Sequence, residues 1–215
     1  MKAPHEFPRR ILLCVTGLSP QIVTETLYAL VHSSPPFVPT EIHIATTRTG
    51  AESARLNLLS TRPGWFERLR RDYALPEIAF DQSFIHILTD ADGEPLDDIR
   101  TPEDNVRAAD FITALVRALT EDENCAVHAS LAGGRKTMGF FLGSNMSLYG
   151  RAQDRMSHVL VQPAYETLPD FYYPTPYESI SEWVSAGMSA HNAAMTPRRA
   201  EGFNNALLCN DWQET

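Results

Sequence analysis

Five short runs of consecutive apolar residues punctuate this chain, and the stretches between them show apolar positions recurring every three to four residues. The runs are Ile11–Thr16, Glu41–Thr46, Phe84–Leu88, Ala126–Leu131 and Ser157–Val161. Short unbroken apolar runs read as buried strands, and the longer period reads as helix. Helices are predicted from Gln21 to about His32, over roughly Ala51–Leu59 and Trp65–Asp72, from Pro102 to about Thr120, and over Met138–Leu148. Pro20 suits a helix start with Ser19 as its cap, and Pro102-Glu103-Asp104 opens the long helix, where Phe111, Leu115 and Leu119 recur at fourfold spacing.

Strands alternating with helices predict an α/β fold of Rossmann-like type, a mainly parallel central sheet with helices on both faces. Right-handed crossovers then gather the ligand loops at the carboxyl ends of the strands. Four loops fall there: Thr16–Gln21, Thr46–Gly50, Asp97–Asn105 and Gly133–Thr137. The exit from the third strand, Thr89–Pro102, is long and rich in Asp, and loops of that length tend to cover a site or move. After Val161, four prolines are interleaved with Tyr165, Phe171, Tyr172, Tyr173 and Tyr177, which predicts an extended, aromatic-packed segment. The chain divides into one folded unit over 1–178 and a tail over 179–215, partly helical or flexible.

At 215 residues there is room for a single core. Lys and Arg total 18 against 27 Asp and Glu, a net charge of −9 that repels duplex nucleic acid. A nucleotide ligand would therefore be small and held locally. Cys14, Cys125 and Cys209 show no CxxC or Cys/His metal spacing and read as incidental thiols of a reducing compartment. No metal or cofactor is implied. The first ten residues lack a signal-peptide core, and no apolar run reaches the roughly 18 residues of a membrane span. A cytoplasmic protein with no membrane partner is expected.

The densest chemistry lies in Ala132-Gly133-Gly134-Arg135-Lys136-Thr137. Paired glycines let the backbone approach a ligand, and a helix N-terminus offers free N–H groups and a favourable dipole to anions. Arg135 and Lys136 add two positive charges. A P-loop would need glycines where Ser130 and Arg135 stand, and a dinucleotide fingerprint would need more than Gly17 after the first strand. Around this turn, Thr16, Gly17, Leu18, Ser19, Gln21 and Thr24 supply hydroxyls and an amide suited to ribose or phosphate. Thr47, Arg48 and Thr49 repeat the theme, and Asp98, Arg100, Thr101 and Asn105 contribute from the third loop. His43, His86, His128 and His158 fall in or beside apolar strands and read as structural.

Three segments together, Val15–Leu27, Asp98–Thr101 with Asp104-Asn105, and Ala132–Gly139 with Ser157–Val161, resemble the CRISPR-associated CARF-domain ring nucleases, relatives of the sensor half of Csm-type effectors. The resemblance covers about Arg10 to Pro174. It implies a Rossmann-like sensor domain that forms a homodimer and binds a cyclic oligoadenylate, most simply cyclic tetra-adenylate, across the two-fold axis. It further implies metal-independent cleavage of that ring, which switches off type III CRISPR signalling. Lys136, Ser19 and Arg135 are then the catalytic candidates, and Thr16, Gly17, Leu18, Gln21, Thr24, Thr47, Arg48, Thr49, Asp98, Arg100, Thr101, Asn105, Ala132, Gly133, Gly134 and Thr137 bind the ligand. The alternative is a sensor that binds the ring without cutting it and regulates a partner.

Overall fold

The computed structural model describes residues 2–161, 165 and 168–176. Five parallel strands form one sheet in the order β3-β2-β1-β4-β5: β1 is Arg9–Val15, β2 Glu41–Thr46, β3 Ile85–Ile87, β4 Cys125–Ser130 and β5 Arg155–Ser157. Parallel strands buried on both faces need continuous apolar sequence, and residues 11–16 of β1 and its exit are all buried. This is the predicted α/β class with a wholly parallel sheet.

Helices α1 (Gln21–Val31) and α3 (Trp65–Asp72) cover one face, where Leu27, Leu30, Leu58 and Leu69 pack on Leu12, Ile42 and Ile44. Helices α4 (Pro102–Thr120) and α5 (Lys136–Tyr149) cover the other, with Ile112, Val116, Met138 and Leu142 against Ile11, Leu13 and Val127. Each such side chain taken fully from water contributes about 1.5–3 kcal/mol before entropy is counted. Two apolar layers thus sandwich the sheet.

Several boundaries differ from the sequence reading. The fifth strand lies at Arg155–Ser157 and not at Ser157–Val161, because the polar Arg155 pairs with His128 in register while His158 and Leu160 are exposed. The third strand shortens to Ile85–Ile87. The helix predicted from Ala51 starts earlier, as α2 (Arg48–Ala54), capped by the Thr47 hydroxyl accepting from the Gly50 N–H at 3.4 Å, and runs on as a π-helical turn over Arg55–Leu59. The helix after the glycine turn starts at Lys136. On α4 the inward line is Ala108, Ile112, Val116 and Leu119, and Phe111 and Leu115 are only partly buried beside it. Pro20 itself is the N-cap residue of α1, and no side chain caps that helix, so Ser19 does not have the predicted capping bond.

The aromatic segment is anchored where predicted: Tyr172 stacks on Trp65 at 4.8 Å, and the Tyr173 hydroxyl donates to Asp72 at 2.7 Å. The tail from Ser179 and the residues Pro163 and Tyr177 lie outside the described residues.

Candidate functional site

The strand order reverses between β1 and β4, and in open parallel sheets this switch point leaves a crevice beyond the carboxyl ends of the strands. A cleft of 920 Å³ opens there. It is lined by Thr16, Gly17 and Leu18 from the β1 exit, by Thr47, Arg48, Thr49 and Glu52 from α2 and its cap, by Asp97, Asp98 and Arg100, and by Gly134, Arg135, Lys136, Thr137 and Met138. All four loops predicted to meet at one sheet edge do so.

Close backbone packing builds the cleft. A Cβ on Gly50 would sit 2.9 Å from the Gly17 carbonyl oxygen and 2.1 Å from the Thr46 hydroxyl, and one on Gly133 would sit 2.4 Å from the Val15 carbonyl oxygen. Glycine is required at both places for the three loops to touch. Gly134 has φ +70, the left-handed region that glycine adopts without a steric penalty, and it turns the chain into α5. Ser53 donates to the Leu18 carbonyl at 2.9 Å and holds the first loop, leaving the Leu18 side chain 73% exposed.

The charges of the cleft are mostly paired. Arg135 grips Asp98 through Nε, at 3.0 Å, and Nη2, and Arg100 adds a bond to the same carboxylate at 3.3 Å. These guanidinium bonds, the Arg135 bond foremost, hold the Asp98 carboxyl down at about 2, so it is ionised throughout the physiological range. Arg48 pairs with Asp97 on the opposite side. Among the described residues Lys136 makes no hydrogen bond or ion pair, and it stands in the first turn of α5, where backbone N–H groups lack helical partners. Of the two positive charges expected at the glycine turn, Arg135 is thus paired and Lys136 is not, among the described residues. The hydroxyl of Thr16, wholly buried at the cleft's base, also has no hydrogen-bond partner among the described residues.

Not every predicted residue lines the cleft. Thr24 is fully buried and its hydroxyl donates to the Gln21 carbonyl at 2.9 Å, a local helix bond. The Gln21 amide donates to the Pro169 carbonyl at 3.4 Å. Thr101 caps α4, accepting from the Asp104 N–H at 3.1 Å, and Asn105 donates its backbone N–H to the Thr101 carbonyl at 3.1 Å. Ser19 is exposed one residue beyond the lining, and Ala132 and Gly133 precede the lining part of the turn, with Gly133 packed close to Val15 and Ile22. Asp97, Glu52 and Met138 line the cleft but were not singled out from sequence. Two consecutive carboxylates beside a set of basic loops were the signal for Asp97.

The histidines are structural as expected in three cases. His43 and His86 share a ring-to-ring hydrogen bond of 2.8 Å, and the buried His128 bonds the Ser157 hydroxyl at 2.8 Å. His158 is exposed and outside the cleft. No described helix is long and apolar enough to cross a membrane.

The family model described as CRISPR-associated protein NE0113 matches residues 19–190. No curated protein matches the chain. Among solved structures, the chain is similar to Enterococcus italicus Csm6 bound to cyclic hexa-2'-fluoro-hexa-dAMP, at 18% identity and TM-score 0.46, over 86% of this chain and 40% of that one. It is also similar to the UDP-GlcNAc 2-epimerase from Neisseria meningitidis bound to UDP-GlcNAc, at 10% identity and TM-score 0.32, over 85% and 44%. A third is the S. aureus MnaA-UDP co-structure, at 11% identity and TM-score 0.33, over 85% and 43%. The chain therefore spans less than half the length of each of these structures.

Proposed function

This chain belongs to the CRISPR-associated protein NE0113 family, and from that premise we propose that it is a ring nuclease that binds a cyclic oligoadenylate across a homodimer and opens it without a metal ion. The observation that carries the reading is the pairing pattern of the cleft. Among the described residues, three arginines are engaged by carboxylates, and one lysine, Lys136, has no such partner and shares the cleft lining with Thr16, whose hydroxyl makes no hydrogen bond there, and with the first turn of α5. That is a local anion site suited to a phosphate group, with hydroxyl groups around it for a sugar, inside a protein whose net charge is −9.

The chemistry asks little beyond geometry. Each ribose 2′-hydroxyl lies beside a 3′-phosphodiester. When it is aligned in line, the 2′-oxygen bonds to phosphorus, the bond from phosphorus to the 5′-oxygen breaks, and the proton lost from the 2′-hydroxyl is balanced by one gained on the leaving oxygen. No water is consumed. The products are linear oligoadenylates with a 2′,3′-cyclic phosphate and a 5′-hydroxyl. The protein has to enforce alignment and stabilise the added charge on the phosphoryl oxygens. Lys136 neutralises that charge, Arg135 and the Gly134–Thr137 backbone hold the phosphate, and Thr16 with Ser19 at the rim orients ribose.

A second copy supports the same site. Phe140, one turn beyond Lys136 on α5, is 68% exposed, and a partner seated on that face would bury it while bringing two Lys136 side chains towards one ring. The test is incubation of the purified protein with cyclic tetra- and hexa-adenylate in EDTA, followed by chromatographic separation. Linear products ending in a 2′,3′-cyclic phosphate are expected. Tight binding with the ring left intact would sink the nuclease reading in favour of a sensor.

A further inference from the structure

The segment between β3 and α4 lines one side of the cleft, and its backbone is pinned by main-chain and hydroxyl bonds as well as by Asp98, whose Oδ1 accepts from the Ile99 N–H at 2.8 Å. Leu96 donates to the Leu88 carbonyl at 2.8 Å, Arg48 donates its backbone N–H to the Leu96 carbonyl at 2.8 Å, and the Thr49 hydroxyl donates to the Asp97 carbonyl at 2.8 Å. Ile99 is buried in the α4–α5 layer. Asp97 and Asp98 are thereby fixed in space as neighbours on one strap.

These two neighbours reach opposite walls. Asp97 takes the Nε and Nη2 atoms of Arg48, which follows β2, and Asp98 takes the Nε and Nη2 atoms of Arg135, which follows β4. Strand β1 and its loop lie between them. In both arginines the same edge of the planar guanidinium is occupied, and Nη1 has no partner among the described residues. A carboxylate that only neutralised an arginine would have no need to hold it by a fixed edge. A carboxylate gripping Nε and Nη2 fixes the plane of the fork and leaves its far end to donate.

We infer that Asp97 and Asp98 are positioning residues: from one strap they set the guanidinium planes of Arg48 and Arg135 on the two walls of the cleft, so that the free Nη1 ends bind phosphate groups of the ligand. The inference rests on the anionic ligand proposed above, and it assigns to two carboxylates a role opposite in sign to their charge. An anion beside a phosphate site weakens binding by repulsion. A positioning carboxylate strengthens it.

The experiment uses that sign. Dissociation constants for cyclic tetra-adenylate and, separately, inorganic pyrophosphate are measured for the full chain, for Asp98→Asn, for Arg135→Ala and for the double variant. Asn at position 98 keeps the shape and removes the negative charge, but it presents an NH2 group to Nη2 and so breaks the fork. Positioning predicts that Asp98→Asn binds both probes roughly tenfold more weakly and that the effect disappears in the Arg135→Ala background. Equal or tighter binding by Asp98→Asn overturns the inference. Pyrophosphate binding with this pattern, with no binding of cyclic tetra-adenylate, supports the positioning role and overturns the oligoadenylate reading. Failure of the unsubstituted protein to bind either probe overturns both.

Discussion

Replacing Lys136 by Ala removes a cationic side chain that has no partner to leave behind among the described residues. At about 4 Å and an effective dielectric of about 20, one unit charge interacts with one unit of opposite charge by about 4 kcal/mol. A phosphodiester gains about one negative charge on the way to its transition state, so the figure bounds the differential effect. The cleft is open to water, and losing a single preorganised donor in comparable sites costs about 10²–10³ in rate. A fall of about 100-fold in the single-turnover rate of ring opening is expected. Arg100→Ala should cost far less, because its guanidinium is bonded to Asp98 and lies at an exposed edge. The melting temperature of Lys136→Ala should match that of the unsubstituted protein. Quenched-flow single turnovers with excess protein read the rate directly, and Lys136→Arg tests whether charge alone restores part of it. A loss below tenfold at unchanged stability would refute the assignment of Lys136 as the group that neutralises the phosphate.

Three further predictions concern the fold beneath the site. Burial lowers the affinity of His86 and His128 for protons to about 4 and about 3, so both are neutral in the native state. Their unfolded values lie near 6.5, so stability is fully present above that pH and falls by roughly 1.4 kcal/mol per pH unit for each histidine as the pH drops towards 4; urea midpoints at pH 7 and 5 measure the slope, and His128→Gln should flatten it. Glu25 has the opposite sign: burial in α1 pushes its carboxyl up to about 7, so stability present below about 4.5 is lost as the pH rises through 7. Glu25→Gln should gain about 3 kcal/mol at pH 8 and almost nothing at pH 4, and an equal gain at both would show the effect to be unrelated to ionisation. Gly133→Ala should weaken ligand binding at least tenfold and lower the melting temperature, because a Cβ 2.4 Å from the Val15 carbonyl oxygen forces the turn away from β1; wild-type binding in that variant would show that the loops need not touch.

The class of fold and the edge of the sheet that carries the site were legible in the order of residues alone. Unbroken apolar runs such as Ile11–Val15 have no stable place except a strand buried on both faces, and alternation with helical periods forces parallel crossovers that deliver the following loops to one edge. The glycine turn was legible for the same local reason, since Gly133 and Gly134 have no packing value in a strand or helix. Strand ends were less so: Ser157–Val161 is as apolar as a strand, yet pairing with β4 selects Arg155–Ser157, a matter of register that no local pattern contains. The state of the charges was decided only by tertiary structure. Arg135 and Lys136 are adjacent and chemically alike, but Asp98, 37 residues before Arg135, reaches the first and not the second. An ion pair depends on distance through space, and the sequence by itself orders residues only along the chain. Folding therefore turned a pair of equivalent cations into one held arginine and one open lysine, which is the distinction on which the proposed chemistry depends.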